Sequence, residues 1–481
     1  MTTTVPEVMT GLYIDGALVD TAQGLRVVDP ADGVSVVGHA ASASAAQATE
    51  AVTAAARAFP AWAALSPADR AAALDAALEP LAADRPAIAD LLTRENGKIR
   101  MESVIDSAVF EHRCRLAIDL ASSVDEVTTL AAPPYRTAVR YDPVGVVTII
   151  VPFNWPLAIL GASLAYALVA GNTVVVKPPP TAPLATARTV AQVAALLPRG
   201  VLNVITGPDA EIGSVLVADP RVRTVCFTGS VGGGKRIMAM AAENLTRVTL
   251  ELGGNDPAII LPDADLGPDA LQALFGGTFA TTGQVCMAVK RLYVHRSRYD
   301  EVVDALSGML AATTLGQGLA ESTTMGPLHR AEQKQFVTDL VAEARAADAE
   351  VREFGELPDL PGHFLRPSLV LDPPDDTRVV TEEQFGPTLP ILPFDDEADA
   401  IVRANDTWAG LTSSVWTADL DHAEAVAAQL RSGYTFVNAH GAAHLDERAP
   451  FGGINHSGMG REMGLEGLHD FMHTHATSYP A

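Results

Sequence analysis

Three side chains in this sequence have the types and settings that acyl chemistry uses. In "TTGQVCMAVKR", Cys286 follows Gly283-Gln284, where a small loop could enter a helix. A thiol there is a candidate nucleophile, although a free cysteine is also a common inert core residue. In "VTLELGGND", Glu251 closes an apolar strand ahead of Gly253-Gly254. It reads as a general base or as a cap for the next element, and the glycine pair implies that something approaches the backbone closely. In "VPFNWP", Asn154 stands between two prolines, which stiffen the backbone on either side. A stiff side-chain amide suits an oxyanion hole, and a turn asparagine is the plainer alternative.

A fourth stretch, "VCFTGSVGGGKR", reads as a strand, a glycine-rich loop and a helix start. Such loops hold phosphates through backbone N–H groups and the helix dipole. Gly229 to Lys235 fits the G-x-x-x-x-G-K phosphate loop, but Arg236 stands where that motif needs Ser or Thr for magnesium. A nucleotide hydrolase is therefore the weaker reading of this loop.

These stretches need elements to position them. Residues 41–100 read as helices, with Ser66 capping a helix that opens at Pro67 and carries Asp69 in its first turn. From about residue 144 strands and helices alternate: "GVVTIIV", "NTVVVK", "LNVIT" and "TVCFT" are strand-like, and the segments after Pro156, Thr181, Ala210 and Ser230 are helix-like. That alternation implies a parallel sheet covered on both faces, with ligands at the carboxyl ends of its strands. Asn154, Lys177, Gly207 and Thr228-Gly229-Ser230 stand at those ends. A second alternating region, residues 254–440, holds "DPAIIL", "VKRLYVH", "SLVLD", "LPILPF", "SSVWT" and "TFVN". Two α/β domains follow, joined near Leu250 to Asn255.

Bulk properties narrow the function. With 481 residues, 48% of them apolar, the chain can build two or three cores, and a net charge of −25 disfavours nucleic acid and anionic membranes. The apolar stretch Val144 to Lys177 is broken by Pro152, Asn154, Pro156 and Asn172, so it reads as strand, helix and strand and not as a membrane span. Three scattered cysteines give no disulfide framework or zinc site. Cys114 and Cys226 read as core residues, and Asp263 and Asp265 as caps of the next helix. The start "MTTTVPEVMTG" lacks a signal-peptide pattern, and a cytoplasmic location is expected. His469, His473 and His475 near the C-terminus lack Cys or acidic partners at ligand spacing, so no metal is expected.

Taken in order, Asn154 in "VPFNWP", "GNTVVVKP", "FTGS", "LELGG", "GQVC", "EEQFGP" and "PFGG" resemble the motifs of the aldehyde dehydrogenase superfamily from about residue 11 to the C-terminus. The resemblance implies an α/β fold of two Rossmann-like domains with a small β oligomerisation element. Residues 1–120 and 143–252 would bind the dinucleotide and residues 253–448 would form the catalytic domain. Residues 121–142 and 466–481 would supply oligomerisation strands, with 449–465 as a return segment. A homodimer or homotetramer is implied.

It also implies roles. Cys286 would attack an aldehyde, the Asn154 amide and Cys286 N–H would hold the oxyanion, and Glu251 would activate the water that hydrolyses the thioester. An acid at Glu251 favours a free acid product over transfer to coenzyme A, and Glu462 matches a second acidic position near that base. NAD is the expected cofactor, with NADP possible. Its site would use Ile150, Val151, Pro152, Phe153, Lys177, Gly207, Phe227, Gly229, Ser230, Gly234, Leu252, Glu383 and Phe385. Pro180 stands where many NAD-preferring members carry a ribose-binding Glu, so nothing there accepts a 2′-hydroxyl or repels a 2′-phosphate. Trp155, Ala158, Ile159, Ala162, Ala280, Val285 and Met287 would surround the aldehyde. Ala162 and Ala280 replace the arginines of succinate-semialdehyde members, so a medium-chain or aromatic aldehyde is expected. Asn455 replaces a lysine of the "PFGG-x-K-x-SG" pattern, which implies altered quaternary contacts. A catalytically idle member acting as a binding protein is the rival reading, against which Cys286, Glu251 and Asn154 all stand.

Overall fold

A computed structural model describes residues 8–480. The leader reading and the outermost ends of the 1–120 and 466–481 segments fall partly outside the described residues.

Runs of β-branched residues form the central strands because both faces of each strand are buried. Val146–Ile150, Thr173–Lys177, Leu202–Val204, Val222–Thr228 and Arg247–Glu251 lie parallel in an eight-stranded sheet. The sheet order places Val146–Ile150 between Thr173–Lys177 and Val222–Thr228, so the chain winds outward in both directions from that strand. Crevices for ligands open at such reversals. Register then aligns the carboxyl edge: Ile150 pairs with Lys177 and with Phe227, and Thr228 pairs with Glu251. Four strand-end positions far apart in sequence thus form one rim.

The edges of this sheet were not read from sequence. Leu12–Ile14 and Ala17–Val19 close one side, and Gly458–Met459 pairs antiparallel with Arg247–Glu251 on the other. The last contact opposes Gly458 to Glu251 and brings the "PFGG" return segment against the candidate base.

A second, seven-stranded sheet contains Asp256–Ile260, Val289–His295, Ser368–Leu371, Thr388–Phe394, Thr412–Trp416 and Tyr434–Val437 in parallel, with Glu350–Glu353 antiparallel at one edge. Thr128–Ala132, Tyr135–Pro143 and Met472–Pro480 form a separate antiparallel sheet. The helix Gly464–Asp470 occupies the start of the 466–481 segment, so the terminal strand begins only at Met472. Among the described residues no helix is long and apolar enough to cross a membrane.

Local capping follows the residue types. Ser66 Oγ accepts from Asp69 N at 3.1 Å with Pro67 in the first turn, and Ser44 forms a capping box with Gln47. Asp263 departs from expectation: it accepts from the Thr417 hydroxyl at 2.8 Å and from Ala418 N, tying two loops together. Asp265 accepts from Gly267 N, and Gly267 caps the following helix. A carboxylate two residues from its target makes a turn more readily than an N-cap. Cys114 and Cys226 are buried.

Candidate active site

Cys286 does not enter a helix. A tight turn, Ala280–Gly283, precedes it and the buried strand Val289–His295 follows. Thr281 and Thr282 both take positive φ, 51° and 57°, a conformation that side chains disfavour and that persists only where neighbours impose it. Here they do. Thr281 N donates to half-buried Glu102, Thr282 Oγ1 donates to Gly326 O at 2.9 Å, and Lys290 Nζ donates to Gly283 O at 3.1 Å. Gln284 locks the turn through Thr281 O and the His329 N–H. The thiol is thus held on rigid backbone.

Asn154 is 3% exposed, and its Nδ2 donates to Gln284 O at 2.9 Å. One amide hydrogen is spent on orientation and the second is left for a ligand. The Cys286 backbone N–H has no partner among the described residues. Two unspent donors beside a thiol are the makings of an oxyanion hole.

The glycine pair after Glu251 answers its own question. A Cβ on Gly253 would collide with the Glu383 carboxyl, and one on Gly254 would stand 2.6 Å from Cys286 O. Gly254 N donates to Glu383 Oε1 at 3.2 Å. Bare α-carbons therefore let Glu383 and Cys286 close on the same backbone.

Burial dominates the electrostatics. The Cys286 thiol is pushed up to about 12 by desolvation and by the carboxyls of Glu383, Glu251 and Asp256, with Lys290 opposing. Glu251 is raised well above the carboxylate range by burial and by the neighbouring Glu462. Its Oε1 has no hydrogen-bond partner among the described residues and lies beside the bare Gly452. Glu462 is itself raised by burial and accepts from the Ser163 hydroxyl at 2.6 Å. Two buried carboxyls this close resist double ionisation.

A cavity of about 930 Å³ joins the glycine-rich loop to the thiol. Ile150, Val151, Pro152, Phe153, Lys177, Phe227, Gly229, Ser230, Leu252, Glu383 and Phe385 line it, as do Asn154 and Cys286. Gly207 and Gly234 lie outside the lining: Gly207 packs on Ala43 and Ile212, and Gly234 lies under Leu252. Glu251 also lies behind the wall. Of the tunnel candidates Ile159 reaches the cavity, while Ala162 and Met287 are in the adjoining apolar cluster with Ile159, Val285 and Cys286 packed against it. Ala158 is held between Asp106, which takes its N–H at 2.6 Å, and Arg113, which donates to its carbonyl. Lys98 lies 4.3 Å from the Trp155 ring centroid. Ala280 opens the turn before Cys286.

Sequence reasoning missed the supports. His329, with its pKa pushed down to about 3 by burial, stacks on Phe153 at 4.2 Å between centroids and bonds Thr181 and Asn96 O. Gln333 donates to the carbonyls of Gln384 and Phe385, holding Phe385 at φ 46° with its ring edge-on to Phe153. A lone His or Gln carries no local signal, since its role appears only when distant strands meet.

The residues fit a dinucleotide. Ser230 caps the helix Val231–Ala241 through Gly233 N at 3.1 Å, leaving first-turn N–H groups without helical carbonyls at the cavity wall. Gly213 lines the same cavity, and a Cβ there would meet nothing within 4 Å. A glycine-rich helix start, a lysine at a strand end and a thiol thus line one cavity.

The chain belongs to the aldehyde dehydrogenase family, whose model matches residues 18–477. Its reaction is the NAD(P)-dependent oxidation of an aldehyde. It is 36% identical over 465 residues to a glutarate-semialdehyde dehydrogenase of Pseudomonas aeruginosa, covering 96% of this chain and 95% of that one. The crystal structure of lactaldehyde dehydrogenase from Escherichia coli superposes with a TM-score of 0.94 at 32% identity, covering 99% of this chain and 100% of that one. A betaine aldehyde dehydrogenase from Staphylococcus aureus in complex with NAD+ gives 0.92 at 31%, covering 98% and 95%.

The carboxyl pair has a testable consequence. Glu462→Gln removes the neighbouring charge that raises Glu251, so the Glu251 pKa falls. The acidic limb of the kcat–pH profile is expected to move to lower pH, with KM for the dinucleotide unchanged. A limb that stays in place with a uniformly lower kcat would mean that Glu462 acts only through packing.

Proposed function

We propose that this enzyme oxidises a neutral, apolar aldehyde, medium-chain or aromatic, to the free carboxylic acid through a covalent adduct on Cys286. The observation that carries the mechanism is the convergence of the Cys286 thiol with two unspent donors, the Asn154 amide and the Cys286 N–H. The thiol gives its proton up to solvent water, its sulfur adds to the aldehyde carbon as the carbonyl π bond opens, and the two donors take the charge that develops on oxygen. When bound, the dinucleotide supplies the acceptor for the hydride. Lys177 and the first turn after Ser230 would hold its phosphate and ribose groups, and Glu383 and Phe385 would position its reactive end.

The acyl group left on sulfur is then hydrolysed. Glu251 takes the water proton, and a rotation of its side chain carries the carboxyl from Gly452 toward the thiol or reaches it through one water. An idle binding protein would have no need of the imposed backbone at Thr281 and Thr282.

The substrate reading rests on charge. Lys98 and Arg113, cations that touch tunnel candidates, are both neutralised: Lys98 by Asp106 at 2.8 Å and Arg113 by Glu447 at 2.8 Å. Neither is left to clamp an ω-carboxylate. The named substrates of the relatives include a semialdehyde and lactaldehyde, so the lining, and not the relatives, supports this reading. A panel at fixed NADP+ and NAD+ tests it: kcat/KM should rank hexanal and benzaldehyde above succinate and glutarate semialdehydes. The reverse ranking would sink it.

The eight-stranded sheet would carry the dinucleotide-binding domain, residues 1–120 and 143–252, and the seven-stranded sheet the catalytic domain, residues 253–448. The three-stranded sheet of 121–142 and the terminal strand would pair copies into a homodimer or homotetramer, since Leu130, Tyr135 and Tyr479 on it are exposed. Three free cysteines and the acidic net charge of −25 support a cytoplasmic location.

A further inference from the structure

Three cations line the cavity, Lys177, Arg236 and Arg330, and the first two, at the end that holds Asp209, have different fates. Lys177 is 2% exposed and is paired with Asp209, a carboxylate that also lines this end. Arg236 lines the same end and has neither an ion pair nor a hydrogen bond among the described residues. Asp209 is thus already matched by lysine, and Arg236 adds a positive charge that no carboxylate among the described residues pairs with.

Its placement is specific. Arg236 lies on the second turn of the helix Val231–Ala241, and helical side chains lean toward the N-terminus. Its Nη1 is 3.7 Å from where a Cβ on Gly232 would stand, so the guanidinium folds back over a turn made of bare glycines. Pro179 and Pro180 line the same cavity and carry no charge to repel an anion. Ile237 and Met240, next along the helix, line the cavity with apolar surface suited to a purine. An unmatched guanidinium in one cavity with this apolar surface and with Lys177 complements a phosphate monoester on a ribose held there.

We propose that Arg236 recognises the 2′-phosphate of NADP and is the residue that admits this cofactor. The proposal rests on the reading that the cavity holds the dinucleotide. The pyrophosphate, common to NAD and NADP, is assigned to the N–H groups beside Ser230, one turn nearer the helix start, and does not need Arg236.

Calorimetric titration of the full chain without aldehyde tests this. The ligands are NADP+, NAD+, 2′,5′-ADP and 5′-AMP, with wild type, Arg236→Gln and Arg236→Lys compared and thermal midpoints confirming the fold. Arg236→Gln should raise Kd for NADP+ and 2′,5′-ADP by about ten- to a hundredfold, the loss of a charge-assisted hydrogen bond. Kd for NAD+ and 5′-AMP should stay within about twofold, and Arg236→Lys should recover part of the NADP+ affinity. Equal weakening of both pairs would assign Arg236 to the pyrophosphate or adenine and overturn the proposal, as would no change in either. If wild type binds neither dinucleotide, the cavity assignment itself falls.

Discussion

Replacing Cys286 with alanine is expected to lower aldehyde oxidation by roughly four or more orders of magnitude while dinucleotide affinity and thermal midpoint stay near wild type. Removing a covalent nucleophile removes the step that every later step depends on. Cys114 and Cys226 cannot substitute: burial holds both thiols above their ordinary range, and both are fully enclosed in the core. Cys286→Ser should be nearly as inactive, because a hydroxyl gives up its proton far less readily than a thiol. The same environment predicts slow alkylation. A thiol pushed up to about 12 is thiolate in only about one part in 10⁵ at pH 7, so iodoacetamide should label Cys286 slowly without ligands, faster as pH rises. Stopped-flow absorbance of the reduced dinucleotide measures the activity. Alanine-variant activity within about tenfold of wild type would refute a thiol mechanism.

Glu251→Gln should act later in the cycle. Without a base for the hydrolytic water, kcat is expected to fall by about 10²–10⁴-fold, while the first turnover still releases reduced dinucleotide. The signature is a burst close to one equivalent per active site followed by a very slow steady state. Loss of the burst along with the steady state would place Glu251 in thiol activation instead. In wild type the sign of the pH dependence follows from the raised Glu251 pKa. The base is protonated through the ordinary carboxylate range, so kcat should climb as pH rises past the raised value and the glutamine variant should lose that limb.

Much of this site was legible because its parts are local. Strand ends, prolines and glycines mark where Asn154, Lys177, Glu251 and the Gly229–Ser230 turn must stand, and parallel pairing aligns them without further information. The sequence marked Cys286 as a candidate nucleophile but not its setting: the Thr281–Thr282 turn looks ordinary in sequence, since positive φ at threonine is imposed by Glu102, Gly326 and Lys290 from elsewhere. The sheet edges failed for a related reason. Leu12–Ile14 and Gly458–Met459 are too short to show period-two alternation and exist only because a neighbouring strand offers free backbone groups. Asp263 looked like a cap because it precedes a helix, yet its nearest donors are Thr417 and Ala418, which no local rule could supply.

The central claim is a covalent acyl group on one sulfur, and its most direct measurement is mass spectrometry of Glu251→Gln quenched in acid after mixing with NADP+ or NAD+ and hexanal. The account predicts a single added acyl group, mapped by proteolysis to the peptide containing Cys286 and absent when the dinucleotide is left out or when Cys286→Ala is combined with it. An unmodified Cys286 peptide during a normal burst, or the acyl group on another residue, would contradict it.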